Sequence, residues 1–279
     1  MSDVALAGCA GKSDPDLSAL IGALDRTGVT AHPVSWDDAG CDWGSFDATV
    51  IRSTWDYVER LGEFLAWARA VPRLVNPAGV VEWSSDKRYL DVLAASGVAT
   101  IETSYPSSGA LAALPDGDVV VKPTVGAGSR GVARFAVDEH DLARAHVDDL
   151  VALGHRAMVQ PHVTSIEREG ETDVIVIDGT VSHAVRKHVT LSSSAATTPA
   201  GADHAEPVEV TDAQAAVVHA ALAAVPFDGP LCFARVDLAM TPAGPAVVEL
   251  ELVEPFLFLS GDPGAPDRLA AAIAARVRH

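Results

Sequence analysis

Apolar and polar residues follow two different rhythms along this chain, and the change falls near Gly97. In the first third, short apolar runs, "VALAGC" (4–9), "VTAHPV" (29–34) and "DATVIR" (47–52), are separated by helical signals over 15–26 and 60–71. Strands alternating with helices predict parallel βαβ units. A shorter run, "RLVN" (73–76), precedes Pro77, and "SSDKRYLDVLAASG" (84–97) sets Leu90, Leu93 and Ala94 at helical spacing. That predicts a helix capped by Ser84 or Ser85 and stopped by Gly97.

Beyond it, "DVVVKPTVGAGSRGVARFAV" (118–137) reads as strand, glycine loop and strand, and 138–154 as a capped helix. The runs "AMVQPHV", "ETDVIVIDGTVSHAVRKHV", "PLCFARVDLAM" and "PAVVELELV" supply further strands, with a hairpin signal at Asp178-Gly179. Antiparallel pairing follows. The predicted fold class is therefore an α/β N-terminal βαβ domain followed by an α+β domain. Residues 190–207 are small, polar and without periodicity, which predicts a mobile functional loop or a disordered one. No repeat of fixed period is visible.

At 279 residues, 48% of them hydrophobic, the chain is large enough for two domains with real cores. Its 38 Asp and Glu against 20 Lys and Arg give a net charge of -18, which argues against a broad surface for nucleic acid or anionic membrane. Any phosphate site must be local. Cys9, Cys41 and Cys232 form no CxxC pair and predict neither a disulfide framework nor a zinc cluster. The ten His show no HExxH spacing. No leader-like start and no run of about 18 apolar residues is present, so a soluble, cytoplasmic protein is expected.

Two stretches carry chemistry. In "VVELELVEP" (247–255) Glu249 and Glu251 share one strand face. Their carboxylates would stand roughly 6 to 7 Å apart, a repulsion of about 2 kcal/mol at an intermediate dielectric. An edge strand with a solvated acidic face accommodates that; so does a divalent cation. "VGAGSRGV" (125–132) spells GxGxxG, but no helix follows it and Lys122 precedes it on a strand. This excludes a Rossmann fingerprint and a Walker loop. A β-hairpin flap over phosphates fits, with Lys122 reaching the same anion, as does a merely flexible hairpin. Protein-kinase HRD and DFG motifs are missing.

Taken in order, Lys87, "VKPTVGAGSRGV", "VQPHV", "RVDLAM" and "VVELELVEP" resemble the ATP-grasp superfamily, specifically its glutathione-synthetase-like branch, over nearly all of residues 80 to 260. The resemblance implies ATP between two α+β subdomains beneath a glycine flap, with two Mg²⁺ ions. It divides the chain into a front substrate domain, 1–84, and an ATP-grasp domain, 85–279, with a flap subdomain about 98–158 and a metal-site subdomain about 159–279. Residue by residue, it implies Lys87 and Lys122 on the phosphates, with Gly126, Gly128, Ser129 and Gly131 in the flap. "MVQPHV" resembles the linker that reads adenine through its backbone, which implies Gln160, Pro161 and Val163; Gln160 stands where many members have Glu. Glu167 is the implied ribose ligand, with Glu169 and Glu171 as rivals. Asp237 and Glu249 match the family's metal ligands, and Glu251 stands where most relatives have Asn. Arg235, on the strand face of Asp237, is implied at the transferring phosphoryl group. Arg186 resembles a second arginine at the γ-phosphate or the substrate carboxylate.

"IRSTWDY" (51–57) follows a strand of the front domain, where ligands collect in open α/β sheets. Arg52, Ser53, Thr54 and Asp56 can hold an amino-acid-like substrate there. Equally, Ser53 or Thr54 can cap a helix while Trp55 packs. With "ELVEPFLFL" (251–259), this stretch resembles a small group of ATP-grasp cyclases that close the D-cycloserine ring from O-ureidoserine. The implied chemistry is ADP-forming: a carboxylate becomes an acyl phosphate, and a nitrogen nucleophile displaces the phosphate. Ring closure from O-ureido-D-serine suits a short chain and one small substrate. The alternatives are an intermolecular peptide ligase of glutathione-synthetase type, a small-molecule kinase, or a nucleotide-binding module without turnover. The expected partner is a small amino-acid-like substrate, not nucleic acid or a membrane, with homo-oligomerisation left open.

Overall fold

A computed structural model describes residues 2–128, 130–188 and 205–277. The front of the chain is the predicted βαβ unit: β1 (Ser2–Gly8), α1 (Leu17–Arg26), β2 (Val29–Ser35), β3 (Ala48–Ser53), α2 (Leu61–Ala70) and β4 (Leu74–Val75). Its four strands pair in parallel in the order β2-β1-β3-β4. One face is aromatic, with Trp36 edge-on to Phe64 at 5.3 Å and Phe64 against Tyr57 at 4.8 Å. The other face is aliphatic, Val4, Leu6 and Val50 packing with Leu20 and Leu24 of α1.

The connection into the second domain differs from the sequence expectation. Ser84 and Ser85 do not cap a helix; they end α3 (Ala78–Ser84), where the Ser85 amide donates to the Val81 carbonyl at 3.0 Å. A separate helix, α4 (Tyr89–Ala95), starts four residues later, and Gly97, at φ +81°, stops it as predicted. Lys87 lies in the break between them, its amide anchored on the Thr124 carbonyl at 2.8 Å.

A three-stranded antiparallel sheet follows, order β6-β5-β7, from β5 (Val119–Pro123), β6 (Ala133–Phe135) and β7 (Ala157–Pro161). Between β6 and β7 runs α5 (His140–Ala152), which buries Ala143, Val147 and Leu150 on Val119, Val121 and Phe135. The short α6 (Thr164–Glu169) leads to a five-stranded antiparallel sheet, order β10-β9-β8-β11-β12. Its members are β8 (Glu171–Ile177), β9 (Thr180–Lys187), β10 (Ala205–Val208), β11 (Phe233–Thr241) and β12 (Gly244–Glu251). Asp178 and Gly179 turn β8 into β9 with φ of 51° and 75°, both left-handed, as their hairpin signal predicts. Residues 205–207, expected in a loop, extend the sheet edge instead; the rest of 190–207 lies outside the described residues.

Besides α3 and the short α6, two further helices have no counterpart in the sequence reading. α7 (Asp212–Ala223) lies against β12, and its capping box pairs Thr211 with Gln214. α8 (Ala265–Val277) wedges Leu269 and Ile273 between α1 and the five-stranded sheet, joining the front sheet and the five-stranded sheet into one core. Asn76 ties the same seam: its side chain donates to the Phe233 and Leu252 carbonyls at 2.9 and 3.0 Å and accepts from the Cys232 amide at 3.0 Å. Among the described residues no helix is long and apolar enough to cross a membrane.

Candidate active site

Between the glycine hairpin, the segment after β7 and the inner face of the five-stranded sheet lies a cavity of about 730 Å³, closed on its front side by Lys12, Trp55 and Tyr57. That volume suits a nucleotide with a small second substrate. The sheet supplies its charge through register. Asp237 of β11 pairs with Glu249 of β12 on one side and Asp173 of β8 on the other, while Arg235 pairs with Glu251. Residues directly opposite share a face, so acids from three strands line up in one row. β12 is the last strand of its sheet, yet Glu249 and Glu251 face the cavity rather than bulk solvent.

Cations are interleaved with these acids. Arg235 donates to Asp237 through Nε at 2.7 Å and Nη2 at 2.9 Å, and to Glu251 through Nη2 at 2.5 Å. Lys87 Nζ lies 3.1 Å from Glu249 and donates to the Gly126 carbonyl of the hairpin at 2.9 Å. Lys122, on β5, lines the same space and has no ion pair among the described residues. Burial, with Lys87 nearby, pulls its ammonium below the usual lysine range despite Glu249. Burial, the largest single influence, would lower Lys87 too, but Glu249, Glu251 and Glu254 together outweigh it and raise the net value. At Asp237, burial pushes the carboxyl up, yet Arg235 and Lys187 prevail and hold it low. Glu251 goes the other way: burial, with Asp237 and Glu249 close by, drives it up to about 8 despite Arg235.

Lys187 is a site residue that the sequence reading missed. Its ammonium sits among Glu171, Asp173 and Asp237 at 3.2, 3.0 and 3.7 Å. Oxygens of these three acids lie within 4.8 Å of one another, close enough for a metal, but the cation they surround here is this lysine. Arg186, the expected residue, points to the opposite side of the sheet, into a separate depression with Glu206 and His188. The cause is a bulge between Ile175 and Val176 on the β8–β9 pair: it sets Lys187, not Arg186, opposite Glu171.

The hairpin brings Gly126, Ala127, Gly128 and Arg130 over the cavity. Gly131 stands behind it at φ +72°, where an added Cβ would meet Pro123 Cδ at 3.2 Å. Ser129 lies outside the described residues. At the far end Gln160, Pro161, Val163 and Glu167 line the wall. Gln160 Nε2 donates to Thr103 Oγ1 at 2.9 Å, and Glu167 accepts from Arg134 at 2.6 Å.

The front-domain set does not reach the cavity. Arg52 is 2% exposed and faces Asp14 at 3.3 Å and Asp16 at 3.8 Å, with Ser53 and Thr54 buried beside it. Asp56 accepts from Trp36 Nε1 at 2.9 Å and Arg60 at 2.8 Å. From that stretch it is Trp55 and Tyr57 that form cavity wall.

The family described as "D-cycloserine synthetase DcsG, N-terminal domain" matches residues 4–76. The cycloserine biosynthesis protein DcsG of Streptomyces lavendulae is 39% identical over 283 residues, spanning 95% of this chain and 95% of its own. This chain belongs to the DcsG family. The crystal structure of D-cycloserine synthetase DcsG superposes with a TM-score of 0.93 at 38% identity over 99% of both chains. A RimK-domain ATP-grasp protein from Sphaerobacter thermophilus covers both chains completely with a TM-score of 0.72, at 17% identity, a likeness of fold alone. The DcsG-family chain therefore has the ATP-grasp fold, and the group resemblance drawn from "IRSTWDY" and "ELVEPFLFL" is borne out. The polar groups assembled here fit a magnesium nucleotide. Lys12, Lys87, Lys122, Lys187, Arg130 and Arg235 are interleaved with Glu167, Glu171, Asp237, Glu249, Glu251 and Glu254 around the cavity, and bound magnesium would let a triphosphate lie beside these acids. Asp173 Oδ1 is in addition buried without a hydrogen-bond partner.

Proposed function

We propose that this chain is an ATP- and Mg²⁺-dependent cyclo-ligase that converts the carboxylate of an O-ureidoserine into an acyl phosphate and closes it to D-cycloserine. The observation that carries this reading is the in-register row of acids facing Lys87 and Lys122 beneath a glycine hairpin, in a family whose relatives are named for D-cycloserine synthesis. Lys87 and Lys122 hold the phosphates, and Lys87 also ties the hairpin down through Gly126. Gln160, Pro161 and Val163 take the adenine end and Glu167 the ribose. Asp237, Glu249 and Glu251 present hard oxygen ligands for magnesium, which supplies charge neutralisation at the β- and γ-phosphates. Arg235, fixed on two carboxylates and donating through Nη1 to the Phe256 carbonyl at 3.2 Å, brings its positive charge to the transferring phosphoryl group. Lys187 adds a second fixed cation on the same face, in place of Arg186. Closure excludes water: Arg130 of the hairpin pairs with Glu59 and donates to the Trp55 carbonyl at 3.1 Å, latching the flap to the front domain.

The test is ADP release from purified protein with ATP, Mg²⁺ and O-ureido-D-serine, in parallel with hydroxylamine trapping. Substrate-dependent ADP and a hydroxamate are expected. ADP with a stable phosphorylated product and no hydroxamate would indicate a kinase instead.

A further inference from the structure

Six acids line the cavity, and five of them are engaged: Glu167 by Arg134, Glu171 by Lys187, Asp237 and Glu251 by Arg235, and Glu249 by Lys87. Glu254 has no ion pair among the described residues, its carboxylate being hydrogen-bonded by its own backbone amide, although only 9% of it is exposed. Leaving one carboxylate of a buried cluster unpaired is unfavourable unless it serves a purpose.

We propose that Glu254 is the base that takes the proton from the attacking nitrogen. The inference rests on the acyl-phosphate reading above. Its placement carries the argument. Glu254 follows the end of β12 by three residues, and its neighbour Val253 packs into the aromatic cluster of the front domain with Tyr57 and Trp36. It lines the cavity close enough to Lys87, at the phosphate end, and to Tyr57, of the front wall, for its charge to act on both. An acyl group activated on the phosphate side and held on the front side must lie between these two. The other cavity groups are unsuited to accept the proton: the lysines and arginines are cationic, His162 stands at the far end of the cavity with its Nε2 3.4 Å from Glu167, and burial raises the Tyr57 hydroxyl well above its usual range, with Glu254 the strongest charge acting on it.

In the step itself, the nitrogen lone pair attacks the acyl carbon and the C–N bond forms. The C–O bond to phosphate breaks, its electron pair leaving on inorganic phosphate. The nitrogen's proton passes to the Glu254 carboxylate and from there to solvent after release; the ring nitrogen still carries the carbamoyl group of the ureido substrate, and water then cleaves that C–N bond, giving D-cycloserine and carbamate, which breaks down to carbon dioxide and ammonia. No oxidant or reductant is required. Burial in this wall pushes the Glu254 carboxyl up to about 7, with Lys87 and Arg235 drawing it down and Glu249 driving it up. A base is most effective when its proton affinity lies near the working pH.

The deciding experiment uses full-length Glu254→Gln with ATP, Mg²⁺ and O-ureido-D-serine, with and without hydroxylamine. Hydroxylamine is largely unprotonated at neutral pH and attacks without a protein base. Hydroxamate formation should stay within about threefold of the unaltered enzyme, while ring closure falls by about 100-fold or more. Glu254→Asp should recover part of the ring closure. Thermal unfolding should be unchanged or raised in Glu254→Gln, since an unpaired buried carboxylate has been removed. Loss of hydroxamate and ring closure in parallel, or retention of both, would overturn the assignment. A wild-type enzyme that yields no hydroxamate at all would overturn the acyl-phosphate reading together with it.

Discussion

Arg235 grips Asp237 through two nitrogens, Nε at 2.7 Å and Nη2 at 2.9 Å, from a position two residues away on the same strand. The same guanidinium reaches Glu251 on the neighbouring strand, so one cation holds two carboxylates that otherwise repel. Truncation leaves those charges buried and uncompensated. Arg235→Ala should therefore destabilise the metal-free protein by about 3 kcal/mol as well as abolish turnover. Urea unfolding in chelator reads the first effect; an unshifted midpoint would show that the pair is not holding the sheet face together.

Lys187 and Arg186 are adjacent in sequence but lie on opposite faces of β9. Lys187→Ala should reduce ADP formation by about 100-fold or more, as expected for a fixed cation lost from a phosphoryl site. Arg186→Ala should stay within about threefold. A reversed order of the two effects in steady-state assays would return the role to Arg186.

That pair also marks how far the sequence can be read. The βαβ rhythm, the glycine hairpin and the alternation of Glu249 and Glu251 are local signals, and each is found where its periodicity placed it. Register is not local. Continuing the Asp178-Gly179 hairpin without interruption would put Arg186 opposite Glu171; the bulge at Ile175 and Val176 puts Lys187 there instead. A one-residue shift exchanges the faces of everything beyond it. Arg52 fails for a related reason: it has the chemistry to bind a carboxylate, but Asp14 and Asp16, far off in sequence terms of motif, already occupy it. Glu254 left no periodic trace because it lies past the end of its strand.

Glu249 faces Lys87 at 3.1 Å and Asp237 across the strand pair. Glu249→Gln preserves shape and removes one charge, so the fold should survive, with Lys87 still near the other acids. Mg²⁺-dependent ADP release should drop by about 100-fold or more, and the Mg²⁺ concentration for half-maximal rate should rise. Full activity at unchanged magnesium would reject its role as a metal ligand.

Asn76 makes three buried hydrogen bonds that join the front sheet to the five-stranded sheet. Asn76→Ala leaves the Cys232 amide without its acceptor and two carbonyls without a donor. A loss of about 2 to 4 kcal/mol is expected, measured by chemical unfolding. A change below about 0.5 kcal/mol would mean that the seam is held by α8 packing alone.

The buried acids make the metal-free protein sensitive to pH in a direction opposite to ordinary carboxylates. Burial raises Glu251 to about 8, and Asp173 and Glu254 each to about 7. Unfolded, such groups release their protons near pH 4, so at neutral pH the folded chain binds more protons than the unfolded one. Stability from these groups is complete below the unfolded value and is lost as pH rises through 7 and 8. Burial depresses His162 and His183, whose contribution has the other sign but is lost only as pH falls through about 6.5. Between about pH 7.5 and 8.5 these histidines are almost wholly neutral in both states, and the acids act without that opposition. Melting in chelator should therefore fall by about 2 °C or more across this window. Glu251→Gln should flatten the slope, and Mg²⁺ with ADP should remove most of it, because a bound cation favours the ionised carboxylates. A melting temperature that rises with pH in the chelated protein would show that these carboxyls ionise freely in the fold, and the crowded acidic row on β8, β11 and β12 would need another explanation.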